Sequence, residues 1–193
     1  MKKSTFLKSI LFVFVFLQSL YSVAQVQRAF STRFDTRIKG DMLLIGNNIL
    51  SRETTTRTPN DDYNGNGFNS NFTMKYIDID NDPLTFSSSS AKLTIPNPAC
   101  YKIKYAALYW GAILQTGSRT NINRVKLKLP GATTYTPING TIIYDANATP
   151  IGTDNNKAYA CFADVTNLLT PLADAQGTYT IADVLSKIGR AHV

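Results

Sequence analysis

Between Tyr101 and Leu114, the segment YKIKYAALYWGAIL changes its apolar/polar pattern partway along. Ile103, Tyr105 and Ala107 share one face of an extended chain, with Lys102 and Lys104 on the other. From Ala106 onward Ala106, Leu108 and Trp110 replace the lysines, so the stretch is apolar on both faces. That pattern predicts a strand central in a sheet, with a second layer over it. Gly111 marks a bulge or a close backbone approach.

The rest of the chain predicts shorter strands around this one. Val26–Lys39 alternates loosely through Phe30, Phe34 and Ile38, and Met42–Ile45 (MLLI) reads as a short buried strand ended by Gly46-Asn47-Asn48. Phe72–Ile79, Ala91–Ile95, Arg124–Leu129, Thr133–Ile138, Gly140–Tyr144, Lys157–Val165 and Gly177–Val184 follow, with Leu84–Ser90 as a strand edge or loop. Arg124–Leu129 (RVKLKL) alternates most cleanly and stops at Pro130-Gly131. Asp164 is placed to cap a short helical or turn segment over Val165–Leu172. Asn60–Asn71 is the most loop-like stretch, because Asn and Gly tolerate left-handed backbone. Short strands at fairly regular spacing, with no long amphipathic helix, predict an all-β fold: an antiparallel β-sandwich or jelly roll, truncated at its C-terminus.

The two ends read differently from this body. Lys2, Lys3 and Lys8, the apolar run Ile10–Leu17 and the small residues of Ser22-Val23-Ala24 form the pattern of a secretory signal peptide over 1–24, cleaved before Gln25. The run is shorter than the ~20 residues a membrane span needs, so no integral membrane segment is expected after cleavage. At the other end, Ile188–Val193 (IGRAHV) matches the translated read-through of a common sequencing adapter, and Lys187 belongs with it. The expectation is a natural module over 25–186 that continues beyond Ser186, with His192, the single histidine, outside it.

Charge then matters less than it first looks. Setting aside Lys2, Lys3, Lys8, Lys187 and Arg190 reduces the formal +7 to +2. The remaining lysines and arginines are scattered with no aromatic interleaving, which argues against nucleic acid as a partner. Cys100 and Cys161 form an even pair in an exported chain, so either a disulfide or two buried thiols fits.

Candidate chemistry is sparse. Asp78, Asp80 and Asp82 alternate as in the first half of a calcium loop, but Pro83 and Ser89 stand where a helix–loop–helix site needs Gly and Glu. Calcium is therefore a candidate cofactor and three acids at a solvated strand end the plain alternative. Without His192 no histidine serves a nucleophilic triad, and Glu53 is the single glutamate, so no catalytic residues are assigned. Tyr63 and Phe68 in the Asn/Gly loop are candidate ligand contacts for a glycan, and Tyr135 and Tyr144 lie near later turns. The alternative for these rings is to complete or cover the core.

The strings KGDMLLIGNNIL, YIDIDNDPLTFSSSSAKL, YAALYWGA, RVKLKLPG, CFADVTNLL and GTYTIADV together resemble the N-terminal region of large secreted Bacteroidota proteins, which typically end in a type IX secretion sorting domain. The resemblance rests on strand signatures rather than catalytic motifs. It implies a secreted or outer-cell-surface protein, adhesin-like or structural, whose partner is an extracellular surface or a glycan. The expected function is thus a noncatalytic surface module, the alternative a carbohydrate-binding module stabilised by calcium, with a catalytic domain further downstream left open.

Overall fold

The structure is a computed structural model that describes residues 31–52, 73–96, 98, 101–115, 117–147, 157–186 and 189–190. It is all-β, with every strand pairing antiparallel and one short helix among the described residues. The strands are β1 (Leu50–Arg52), β2 (Thr73–Tyr76), β3 (Ser88–Leu93), β4 (Ala107–Ile113), β5 (Arg124–Lys128), β6 (Thr136–Asn139), β7 (Thr141–Asp145), β8 (Ala158–Asp164), β9 (Gly177–Ala182) and β10 (Gly189–Arg190). The helix, α1 (Thr166–Leu169), follows β8. Asp164 accepts a hydrogen bond from the Thr166 N–H (2.9 Å), so it supports the helix start from one residue before the Val165 cap position.

Three sheets result: β1-β2-β10, β3-β9-β5-β6 and β4-β8-β7. The two with the longer strands and more residues, β3-β9-β5-β6 and β4-β8-β7, share a core, an arrangement consistent with a β-sandwich. Val125, Leu127 and Ile138 come from the four-stranded sheet, and Trp110, Cys161 and Ala163 from the three-stranded one. Alternation explains the inward set. In β5, Val125 and Leu127 are buried while Lys126 and Lys128 stand on the opposite face. Trp110 Nε1 donates to the Ile122 carbonyl (2.9 Å), and the Cys161 thiol reaches the same oxygen (3.4 Å). A buried carbonyl in an irregular turn thereby gains partners it would otherwise lack.

Several expectations need correction. The strand around Trp110 is not central: β4 pairs with β8 alone, and β8 is the middle strand of its sheet. Nor is β4 buried on both faces. Trp110 points inward, while Tyr109 is 56% exposed and Ile113 42%. The strand also begins later, at Ala107 rather than Tyr101. Met42–Ile45 is not a buried strand, since Met42 is 76% and Leu44 85% exposed. The described part of Val26–Lys39 likewise forms no strand. An apolar run becomes a strand only where a neighbouring backbone offers a ladder, and no described backbone does so for these residues.

The four-serine run is the opposite case. It enters β3, where Ser88 and Ser89 are each almost wholly buried. Residues 77–87, which connect β2 to β3, fold as a strap over the outer side of the four-stranded sheet. Lys126 Nζ donates to the Leu84 carbonyl (2.6 Å) and pairs with Asp183 (2.8 Å), and Lys128 pairs with Asp80 (3.4 Å). Small side chains fit where a strand is covered from both sides.

Candidate functional site

The strap carries the candidate calcium residues. Ser88 Oγ lies 2.9 Å from Asp78 Oδ1 and 2.8 Å from Asp80 Oδ1, while accepting from the Ile79 N–H (2.9 Å). Asp80 Oδ2 accepts from Tyr135 OH and from Lys128. The Asp82 N–H donates to Asp80 Oδ1 (3.4 Å), while the Asp82 carboxylate closes its own turn by accepting from the Leu84 N–H (2.9 Å). Asn81 adopts a left-handed backbone there (φ 49°), which asparagine tolerates. Among the described residues no three His, Cys, Asp or Glu side chains gather in a group that could hold a metal ion. The geometry at Asp80 is that of a carboxylate already served by a tyrosine, a serine and a lysine.

This clasp has an acid signature. Burial pushes the Asp80 carboxyl up, but Tyr135, Ser88, the Asp82 N–H and Lys128 outweigh it and hold the group at about 2. The folded value lies below the unfolded one of about 3.9, so the stabilisation is complete above about pH 4 and is lost as pH falls toward 2. The side chain is 16% exposed, and with solvent screening of the Lys128 pair the contribution is on the order of 1–2 kcal/mol. Urea unfolding at pH 7 and pH 2.5 should show the wild type losing more stability than Asp80→Asn over that interval. Equal losses would mean that Asp80 is not held by the clasp.

A second feature is the outer face of the β4-β8-β7 sheet. The ladder sets Tyr109 beside Phe162 and Phe162 beside Thr141, then Gly111 beside Ala160 and Ala160 beside Tyr144, then Ile113 beside Ala158. Paired residues share a face, so this one carries three rings around a floor of Gly111, Ala160 and Ala158. Tyr109 and Phe162 lie 5.1 Å apart with tilted rings, and the Arg33 guanidinium covers Phe162 at 4.1 Å. Phe34 stacks on Tyr105 at 4.7 Å, so residues 33–34 rest along one end of the sheet. Tyr109 and Tyr144 remain exposed. Gly111 is needed for the close approach, since a Cβ there would lie 2.6 Å from the Tyr159 carbonyl oxygen.

Tyr63, Phe68 and Cys100 lie outside the described residues. Tyr135 is bound into the Asp80 clasp, whereas Tyr144 is exposed on the aromatic face. Tyr109 escaped sequence reasoning because it sits in the run expected to be buried on both sides. Its signal was the alternation Tyr109-Gly111-Ile113, which puts a gap between two large side chains on one face.

Cys161 is a buried free thiol in the middle of the core, and its candidate bridge partner Cys100 lies outside the described residues. Burial pushes its thiol up to about 11. Alkylating reagent at pH 8 is therefore expected to label Cys161 only after denaturant unfolds the chain, as read by peptide mass analysis. Labelling in the folded protein, or a Cys100–Cys161 disulfide peptide, would overturn this.

Among the described residues no helix is long and apolar enough to cross a membrane, a statement that does not bear on membrane β-barrels. A scan against protein-family models and searches of curated proteins and solved structures find no match to this sequence.

Proposed function

We propose that this chain is a noncatalytic β-sandwich module of a secreted or cell-surface protein, and that it holds glycan chains against the outer face of its β4-β8-β7 sheet. The observation that carries the reading is the pairing of exposed rings, Tyr109 and Tyr144, with a floor of Gly111 and Ala160 that has no bulky side chain. A sugar ring presents C–H faces that stack on aromatics and hydroxyl edges that seek donors and acceptors. Thr141, opposite Phe162 in the ladder, and Arg33 over the Phe162 ring supply such groups at the margin. The scaffold is suited to this work because the rings stand on strands rather than on loops.

The export pattern of the first 24 residues and the resemblance to secreted surface proteins support the extracellular setting. The jelly-roll assignment belongs to the same proposal. It is supported by the way the chain changes sheets between β3 and β4, β4 and β5, β6 and β7, and β8 and β9.

A panel of soluble plant, algal and bacterial polysaccharides, tested by affinity electrophoresis, checks the reading. At least one is expected to retard the protein. Tyr109→Ala and Tyr144→Ala should each weaken binding about tenfold or more, a loss of about 1.4 kcal/mol. Their melting temperatures should stay near the wild type because both rings are exposed. No retardation by any polysaccharide, or retardation unchanged in both variants, would overturn the glycan assignment.

A further inference from the structure

The edges of the two larger sheets are not alike. The free edge of β3 carries Lys92, and its Ser90 carbonyl is held by the Asn47 side-chain amide (2.8 Å). The edge strand β6 contains Pro137, and β7 is broken by a register shift between Ile142 and Tyr144. Lysine, proline, bulges and side-chain cover are the devices that keep sheet edges from pairing with other chains. The seven residues of β4, ALYWGAI, contain no charge, no proline and no bulge.

The backbone of β4 is also oriented for pairing. The Leu114 N–H donates to the Lys157 carbonyl (3.3 Å), and the Val165 N–H donates to the Ala106 carbonyl (3.0 Å). The even-numbered residues therefore turn their backbone groups toward β8, by the alternation of an antiparallel ladder. Those of Ala107, Tyr109, Gly111 and Ile113 turn toward the free edge, where no described strand lies. The Ile113 carbonyl accepts from Ser186 Oγ (3.3 Å) and keeps its second lone pair.

Side-chain size along the same four residues runs small, large, none, large. We propose that β4 pairs antiparallel with β4 of a second copy, about a two-fold axis at Trp110. In that register Tyr109 stands opposite the second copy's Gly111, and Ala107 opposite the second copy's Ile113. Each large outer side chain meets a small one, and each Tyr109 ring covers a glycine that has no side chain of its own. Aromatic cover of an edge glycine is a recognised means of holding register. Shifting the pairing by two residues sets Tyr109 against Tyr109 or Gly111 against Gly111 and loses the fit. The strand is thus complementary to itself in one register, and the product is a closed two-fold dimer with a six-stranded sheet. The inference does not rest on glycan binding: in the dimer each Tyr109 ring lies over the second copy's Gly111, so pairing and a sugar on that part of the floor would compete.

The test uses the full chain in a Cys100→Ser background. Sedimentation velocity over a concentration series is expected to show a monomer–dimer equilibrium, and Tyr109→Lys should leave a monomer with an unchanged circular dichroism spectrum. Ala107→Cys combined with Ile113→Cys should give an intermolecular disulfide under mild oxidation. Directly paired Cα atoms lie about 5.5 Å apart in such a ladder, within disulfide reach. Ala107→Cys alone should not cross-link, because its own counterpart stands six residues along the pairing, about 20 Å away. If the variants fail to fold, slower amide exchange at Tyr109 and Gly111 of the background protein with rising concentration reads the same contact. A monomer at all concentrations, a dimer that survives Tyr109→Lys, or equal cross-linking of the single and double cysteine variants would each overturn the proposal.

Discussion

Replacing Trp110 by alanine is expected to destabilise the fold by about 3–5 kcal/mol, the range for removing a large buried aromatic. Trp110 is 7% exposed and sits in the core between the two larger sheets. It does two things at once. Its ring fills the space between β8 and the corner at Gly140, and its indole N–H satisfies the Ile122 carbonyl. The alanine variant leaves a cavity and takes away one of two donors to that carbonyl, with only the weak Cys161 thiol remaining. For a chain of this size the melting temperature should fall on the order of 10 °C. Trp110→Phe separates the two roles, since it keeps most of the apolar fill and loses the hydrogen bond. Its cost should be well below that of alanine. Equal costs for phenylalanine and alanine would show that the hydrogen bond, rather than the packing, is what Trp110 contributes.

The second large effect is expected at Gly140. This residue joins β6, in the four-stranded sheet, to β7, in the three-stranded one, so the chain changes sheets at it. The corner is drawn tight by the Gly140 N–H donating to the Asn123 carbonyl (2.7 Å) and by Asn123 Nδ2 donating to the Gly140 carbonyl (3.0 Å). A Cβ at Gly140 would lie 2.2 Å from Trp110 Cη2 and 2.7 Å from the Phe162 carbonyl oxygen. The backbone oxygen belongs to the central strand β8 and cannot yield without disturbing two ladders. Gly140→Ala should therefore cost about 3 kcal/mol, at the upper end of overpacking effects. The two sites touch, so their effects should not add. Trp110→Ala removes the nearer obstacle and leaves the Phe162 oxygen, and the double variant should be less destabilised than the sum by about 1 kcal/mol or more. Strict additivity in urea unfolding would mean that the corner is not packed against the indole.

How much of this was legible beforehand depended on the kind of burial involved. The stretches that became β5 to β9 carry their own evidence. RVKLKL alternates between core and strap, and Asn139-Gly140 separates two strands as its turn chemistry indicated. The candidate site was harder. Tyr144 stands near a turn and is exposed, but Tyr109 lies inside an apolar run that period alone cannot resolve into inner and outer faces. The strap acids were visible as a spacing, but their partners Ser88, Tyr135 and Lys128 come from three other places in the chain.

The sequence by itself determined the β class, the positions of most later strands and the inward alternation of β5, because these follow from local period and turn residues. Only the tertiary structure decided which strand is central, which apolar segments stay exposed and which serines are buried. Those outcomes depend on which backbones pair and which segments cross over them. Neither is a property of any one stretch, so β4 reads as a core strand in isolation and stands as an edge in the fold.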